Sequence, residues 1–194
     1  MSDLMTVEAT EIATATENPV SLMESAKMLS NSTIIPVQFQ RKPENCYIAL
    51  DMANRMGVPV MMVMQNLYVV QGRPSWSGTA IASMVQNSGK FDDVELIYTG
   101  QEGTDSWGAY VTAKSKKSGK TLKGATVTIG TAKAEGWYAK SGSKWKTMPE
   151  LMLCYRAYAW FARQHCPDLM MGLQSNDEIE DVTTRREVRN PYEG

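Results

Sequence analysis

The spacing of apolar residues changes twice along this 194-residue chain, and these changes constrain the fold more than any single motif does. Apolar residues recur at helical spacing near the start, at Leu22, Ala26 and Leu29. β-Branched and aromatic residues recur in three segments between positions 94 and 129, where strands are expected. Helical spacing returns between 148 and 165. We therefore expect helices, then a small antiparallel β-sheet packed with helices, then a long helix, which is an α+β fold.

Proline and glycine residues set the expected bounds of these elements. Pro19 begins a short helix, and a second helix spans Pro43–Met56, with proline in its first turn and Gly57 as its left-handed cap. Pro59 begins a third helical turn. The other expected elements are a strand at 67–70, a turn at 71–74, a helix at 78–87, strands at 94–99, 107–114 and 121–129, and helices at 131–135 and 148–165.

The composition divides the chain into three parts. Residues 1–18 mix Thr, Ala and Glu with little apolar periodicity, so we expect a disordered acidic N-terminal tail. Residues 19–175 hold the predicted elements and are expected to form a single domain, followed by a charged C-terminal tail, 176–194, that frays. The 43% hydrophobic content supplies a core, and no apolar run approaches the roughly 20 residues that a membrane span needs.

The cysteines and the first residues of the chain indicate the cellular compartment in which the protein is expected. Cys46, Cys154 and Cys166 are odd in number and show no CxxC spacing, so we expect reduced thiols. The first residues have neither the basic region nor the apolar run of a secretion signal. A cytoplasmic protein is therefore expected.

Positive charge is concentrated between residues 111 and 163. This stretch holds eleven Lys or Arg against two acidic residues, Glu135 and Glu150, a net +9 in a chain whose sum is −1. Such a block in a nearly neutral chain is typical of a surface that binds a polyanion. The interleaved aromatic residues fit single-stranded nucleic acid, because cations hold phosphates while rings stack on bases. These aromatic residues are Tyr138, Trp145, Tyr155 and Trp160.

Three residues of the long helix combine charge with an aromatic ring. Arg156, Trp160 and Arg163 share one helical face, beside a stripe that we expect to be buried. Two guanidinium groups beside an indole can hold phosphate and stack on bases. The alternative is a boundary stripe whose arginines extend to water. The expected buried stripe consists of Met148, Leu151, Met152, Tyr155, Ala159 and Ala162.

Lysines also surround the predicted hairpin at 115–120. Lys114 ends one strand and Lys123 lies in the next, where it shares a face with Ala125 and Val127. This hairpin is either a finger along a sugar-phosphate backbone or a solvated tip that protects the sheet from edge pairing. The sequence leaves both interpretations open.

Three other chemistries have weak sequence support. The segment Ser118-Gly119-Lys120-Thr121 lacks the earlier glycine of an ATP-binding P-loop and stands between strands. Acidic residues at 92, 93 and 95 could serve a metal-dependent nuclease, with Asp93 and Glu95 on one strand face, but a solvated strand start is simpler. His165, with Cys154 and Cys166, matches no zinc-binding spacing. We therefore expect no catalytic residues, no metal site and no enzyme activity.

Two segments resemble motifs of the RecT family of phage single-strand annealing proteins. The first is the segment 65–76, QNLYVVQGRPSW, and the second runs from the MLCYRA of 152–157 through 161–163 to Pro167-Asp168. The likeness extends over roughly residues 20–182. It implies a recombinase that binds single-stranded DNA, assembles into rings or helical filaments, and pairs complementary strands without ATP. It also implies a core shared with Red-beta, with DNA held by its backbone in a basic groove.

The resemblance also assigns roles to residues. Arg73 and Trp76 are expected near the groove, although Arg73 is alternatively structural at its turn. Arg156 and Arg163 are expected to project into the groove, with Trp160 between them. The next candidates for DNA contacts are Lys114, Lys123, Lys133, Lys144 and Lys146. No cofactor is required, and magnesium at most modulates pairing.

The expected partners follow from the same resemblance. They are single-stranded DNA, the annealed duplex intermediate and further copies of the chain, in the cytoplasm of a bacterial or phage-infected cell, with no membrane. Related proteins often dock a companion exonuclease or the host single-strand binding protein through a C-terminal segment. Here that docking would depend on the short tail, including 183–189. The acidic remainder of the chain is expected to contact the basic face of a neighbouring copy. The competing function is a passive single-strand protector that does not anneal.

Overall fold

The computed structural model describes residues 19–70 and 72–182 of the protein. The chain divides into two compact units, Met1–Gln65 and Asn66–Gly194. The described residues form eight α-helices and two β-sheets, so the α+β class predicted from the sequence is confirmed. The predicted acidic tail 1–18 and the segment 183–189 lie outside the described residues.

The first unit is helical. Helix α1 (Pro19–Ser30) packs against α2 (Pro43–Met56), and α3 (Val60–Asn66) leads out of the unit. The predicted bounds of α2 are confirmed, with proline in the first turn and Gly57 at φ 64°. The Val58 N–H donates to the Ala53 carbonyl at 3.0 Å, which satisfies a carbonyl at the helix end. Local chemistry therefore determines this helix.

The second unit begins with a small three-stranded sheet. Strands β1 (Leu67–Val70) and β2 (Arg73–Trp76) form an antiparallel hairpin, and β7 (Gln174–Ser175) adds to β2 in parallel. The sequence predicted β1 but was wrong to assign 71–74 entirely to a turn. Pro74 is compatible with the middle strand because β7 pairs only with Ser75 and Trp76.

A four-stranded antiparallel sheet forms the centre of the second unit. Its strands are β3 (Phe91–Thr99), β4 (Gly108–Ser115), β5 (Thr121–Lys123) and β6 (Val127–Thr128), with β6 beside β4. The predicted continuous strand 121–129 is wrong, because two short strands, β5 and β6, occupy this range with a gap at 124–126. It breaks at Gly124, where an added Cβ would lie 3.2 Å from Phe161 Cβ. The second short strand, β6, ends where α5 (Ile129–Ala134) begins, with Thr128 as the N-cap of that helix.

Two helices, α4 (Gly78–Asn87) and α7 (Pro149–His165), pack against the second sheet. Ala109, Val111 and Ala113 of β4 are buried, and Phe91 meets Phe161 edge-to-face at 5.3 Å between ring centroids. These contacts fix one face of the sheet as the core side.

The predicted buried stripe of α7 is partly wrong. Met148, just before the helix, and Leu151 in its first turn are 44% and 40% exposed. The helix instead buries residues around much of its circumference, because the sheet and α4 contact it on one side and other elements contact it elsewhere. The additional buried residues are Leu153, Arg156, Ala157, Tyr158 and Phe161.

The rest of the second unit consists of short elements. Helix α6 (Lys144–Thr147) precedes α7, and a 3-10 turn (Pro167–Met170) follows it. Helix α8 (Asn176–Val182) occupies the start of the segment that was expected to be a fraying tail. That expectation is wrong for 176–182, because Ile179 and three acidic residues of this helix are buried. Among the described residues, no helix has both the length and the apolar character that crossing a membrane requires.

Candidate nucleic-acid interface

The face of the second sheet turned away from α7 carries lysines. Alternation along β4 places Tyr110, Thr112 and Lys114 opposite the buried Ala109 and Val111. Lys123 of β5 pairs with Thr112 in the register, so it belongs to the same face. Its Nζ lies 4.0 Å from the centroid of the Tyr110 ring, within range of a cation–π contact. The sequence prediction that Lys123 shares a face with Ala125 and Val127 is wrong, because Val127 pairs with Ala109 on the buried face of the sheet.

The turn between β4 and β5 extends this lysine surface. The Gly119 N–H donates to the Ser115 carbonyl at 2.8 Å, and Gly119 has φ 68°, which a residue with a side chain rarely adopts. The predicted setting of Ser118–Thr121 between two strands is confirmed. We call the whole surface the hairpin face. It consists of Tyr110 and the lysines 114, 116, 117, 120 and 123.

The lysines of the hairpin face are largely without carboxylate partners. Lys116 lies 3.4 Å from Asp92, an exposed ion pair. Within the described part of the chain, the other four lysines form no ion pair. Exposed ammonium groups that are not neutralised locally are available to an external anion.

The acidic residues of β3 lie beside this face but do not form a metal site. A bulge between Asp92 and Glu95 shifts the register, and Asp93 has φ 52°. Asp92 pairs with Lys114 and Glu95 with Thr112, so Asp92, and not Asp93 as the sequence predicted, shares a face with Glu95. In residues 19–70 and 72–182, no group of three His, Cys, Asp or Glu side chains is placed to hold a metal ion.

A second group of cations lies under α8. Arg156 is only 3% exposed and bonds the Asp181 carboxylate. Its guanidinium carbon lies 4.0 Å from the Trp137 ring centroid and 5.6 Å from that of Trp145. The Trp145 Nε1–H donates to Asp181 at 2.8 Å. Burial raises the pKa of Asp181, and the bonds from Trp145 and Arg156 oppose that shift.

The other acidic residues of α8 contact cations as well. Lys144 Nζ lies 3.1 Å from Asp177 and 3.2 Å from Glu180. Arg163, whose side chain is 45% exposed, donates to Glu178 at 2.7 Å. All four carboxylates of α8 therefore contact the basic block within the same chain. We call this group the α8 cluster; it comprises Lys144, Arg156, Arg163 and the acidic residues 177, 178, 180 and 181.

The two tryptophans predicted at the interface, Trp76 and Trp160, differ in how deeply they are buried. Trp76 is 1% exposed, and its Nε1–H donates to the Met170 carbonyl at 3.1 Å. It is therefore a core residue and not a surface for base stacking. Trp160 is half-buried on α7. Arg156 likewise does not project into an open groove, because its charge is enclosed by Trp137 and Asp181.

The remaining predicted contacts occupy two other places. Lys133 pairs with Asp105 and lies 5.2 Å from the Tyr138 ring centroid, which Lys146 approaches to 6.0 Å. Arg73 is exposed and lines a cavity that Arg163 also lines. The eight predicted basic residues therefore lie at four places and not in one groove: the hairpin face, the α8 cluster, the Tyr138 ring and the cavity.

Sequence reasoning missed two groups of residues. Tyr110 was not predicted, although its position two and four residues before Thr112 and Lys114 gives it the same face as both. The carboxylates of α8 were also missed. Their partners are 15 to 36 residues earlier in the chain, so no local spacing reveals them.

The fold and the site together define an α+β protein with an open lysine-rich sheet face and a separate, internally neutralised cation cluster. No model of a known protein family matches the chain, and no curated protein sequence matches it either. The chemistry of the site therefore rests on the geometry of its own residues.

Proposed function

We propose that this protein binds single-stranded DNA on its hairpin face and anneals complementary strands without ATP, as a RecT-like oligomer in a ring or filament. The observation that carries the proposal is the hairpin face itself. Five lysines extend from two adjacent strands and their turn, and four of them have no carboxylate partner among the described residues.

The residue types of this face suit binding to a backbone without base recognition. Lysine presents a compact charge on a flexible stem, so it contacts phosphates without the fixed geometry that reads base edges. Lys123 occupies one face of the half-buried Tyr110 ring. The tyrosine therefore holds the lysine above the sheet and is not itself an open stacking platform. An annealing protein must leave the bases free to pair with a second strand, and a surface that contacts the backbone through lysines allows this.

The charge requirement also supports annealing. Two single strands repel each other, so a surface that brings them together must neutralise more phosphate charge than one strand carries. The turn lysines 116, 117 and 120 extend the positive surface beyond the strands that carry Lys114 and Lys123. Assembly of several copies would repeat this surface along the DNA, as the resemblance to the RecT family implies.

Annealing of two complementary labelled oligonucleotides, without ATP or magnesium, tests the proposal directly. We expect the full chain to accelerate strand pairing over the spontaneous rate, and electron microscopy of the products to show rings or filaments. Binding to each strand without acceleration would instead assign the protein to passive single-strand protection. Absence of binding at low salt would exclude both functions.

A further inference from the structure

A cavity of about 480 Å³ lies in the second unit, away from the lysines of the hairpin face. Strand β2, the end of α7, the 3-10 turn, the loop before β7 and helix α8 all contribute to it. Most of its wall is apolar, and none of the described residues that line it is acidic. The apolar lining residues are Pro74, Pro167, Met170, Leu173 and Ile179.

Two arginines line this otherwise apolar cavity. Arg163 is held in place by Glu178, which is 5% exposed and also accepts hydrogen bonds from the Ser175 N–H at 3.2 Å and hydroxyl at 3.3 Å. A guanidinium has five N–H donors, so this bond leaves Arg163 with further donors. Arg73 is exposed and forms no ion pair within the described residues. The cavity thus has one pre-oriented and one unpaired guanidinium.

The combination restricts the chemistry of a ligand. Two guanidinium forks match an anion with several oxygens, such as a phosphate, better than a single carboxylate. The apolar wall requires that the rest of the ligand be largely apolar, and the volume falls within the range of small-molecule sites. Gln174 also lines the cavity, and its amide can both donate to and accept from the edge of a base.

We propose that this cavity binds a single nucleotide, with its phosphate on Arg73 and Arg163 and its base against Leu173 and Pro167. The volume of about 480 Å³ lies in the range of sites for a single small molecule, so the proposed occupant is one nucleotide. The bound unit is therefore either a free nucleotide or the terminal nucleotide of a strand that carries a 5′-phosphate. This site is separate from the hairpin face, and its existence does not depend on strand annealing.

Calorimetric titration of the full chain shows which parts of the nucleotide contribute to binding. The probes are deoxyadenosine 5′-monophosphate, deoxyadenosine and inorganic phosphate. We expect the monophosphate to bind at least about tenfold more tightly than either part, because only it uses both the guanidinium groups and the apolar wall. Equal affinity for inorganic phosphate and the monophosphate would overturn the proposal, since it would leave a simple anion site.

Matched variants locate the binding. Arg73→Gln should weaken monophosphate binding about tenfold, the usual effect of removing one charge-assisted contact. It should leave the melting temperature unchanged, since this side chain is exposed. Leu173→Ala should weaken binding of the monophosphate but not of inorganic phosphate. Arg41→Gln, which removes an exposed arginine that does not line the cavity, is the control. Unchanged affinity in Arg73→Gln would overturn the assignment.

A second titration separates the two sources of the nucleotide. A short oligonucleotide with a 5′-phosphate is compared with the same oligonucleotide ending in a 5′-hydroxyl, in wild type and in Arg73→Gln. A preference for the phosphorylated end that disappears in the variant assigns the site to strand ends, and binding of the free monophosphate alone assigns it to free nucleotides. The proposed annealing function fails by a different result, namely unchanged strand pairing when Lys114 and Lys123 are replaced.

Discussion

The lysines of the hairpin face and the cations of the α8 cluster belong to the same basic stretch of sequence, yet the first are largely without carboxylate partners and the second are paired. On the hairpin face, four of five lysines have no carboxylate partner among the described residues. In the α8 cluster, Lys144, Arg156 and Arg163 each contact at least one carboxylate. The net positive charge of a sequence segment therefore differs from the positive charge that is accessible to a ligand in the folded protein.

Burial explains the difference between the two regions. A guanidinium that is 3% exposed, as Arg156 is, cannot remain charged at tolerable free energy without a partner. The exposed lysines of the hairpin are hydrated and need none. We infer that Lys144 and Arg156 use their charge to attach α8 to the rest of the unit, and that the hairpin face keeps its charge for an external anion. Arg163 both bonds Glu178 and lines the cavity.

The largest expected effect is on stability, in the α8 cluster. Arg156→Ala should lower the free energy of unfolding by about 3–5 kcal/mol, because Asp181 would stay buried without its cation. Urea unfolding measures the loss. The control is Arg55→Ala, which breaks the exposed ion pair with Asp51 and should leave stability nearly unchanged. A stable Arg156→Ala protein with weakened DNA binding would contradict the distinction between the two regions.

The second effect is on DNA affinity, at the hairpin face. The double variant Lys114→Gln/Lys123→Gln should weaken binding of single-stranded DNA by about 1–3 kcal/mol, uniformly across sequences. The slope of log affinity against log salt should fall by about two, one for each phosphate contact removed. Stability should change by no more than about 0.5 kcal/mol.

The matched control for this double variant is Lys27→Gln/Lys42→Gln, which removes two exposed lysines of the first unit. Fluorescence anisotropy at several salt concentrations compares the two proteins. An equal loss of affinity in both would indicate that net charge, and not the hairpin face, drives binding.

Local sequence signals predicted some elements accurately because their causes are local. Pro43 and Gly57 mark the ends of α2, and Ser77 caps α4 through a hydrogen bond from the Ala80 N–H at 3.0 Å. The lysine hairpin could be predicted because two segments of alternating apolar and polar residues are joined by a polar turn. In each case the stabilising contact lies within a few residues of the position that it fixes.

The elements that the sequence did not predict depend on distant contacts. The strand at 121–129 is interrupted because Gly124 packs against Phe161, 37 positions later. Helix α8 is rich in acidic residues, so its local sequence predicts a solvated tail. Three of its four carboxylates are buried, and each of these three contacts Lys144, Arg156 or Arg163 in the folded unit. The face that Arg156 occupies could not be assigned from helical spacing alone.

Arg163 is exposed like the hairpin lysines but contacts a carboxylate like Arg156. Its replacement should therefore lower stability less than Arg156→Ala does. Arg163→Gln should lower the free energy of unfolding by about 1 kcal/mol, because Glu178 keeps its hydrogen bonds from Ser175 when the guanidinium is lost. Affinity for long single-stranded DNA should stay within about twofold of wild type. A stability loss as large as that of Arg156→Ala would mean that partial exposure does not separate the members of the α8 cluster.

The smallest expected effect is the pH dependence of the Lys144 contacts. Burial lowers the pKa of this lysine, but hydrogen bonds to Asp177 and Glu180 outweigh burial and raise it above its ordinary value of 10.5. A folded-state pKa that is raised means that the contribution of Lys144 is complete below the unfolded pKa and is lost as pH rises through the folded value. Other lysines and tyrosines titrate in the same range, so the informative quantity is the difference in unfolding free energy between wild type and Lys144→Gln. We expect that difference to be constant from pH 7 to about 10 and to shrink above it. A difference that grew with pH would show that burial, and not the two carboxylates of α8, dominates at Lys144.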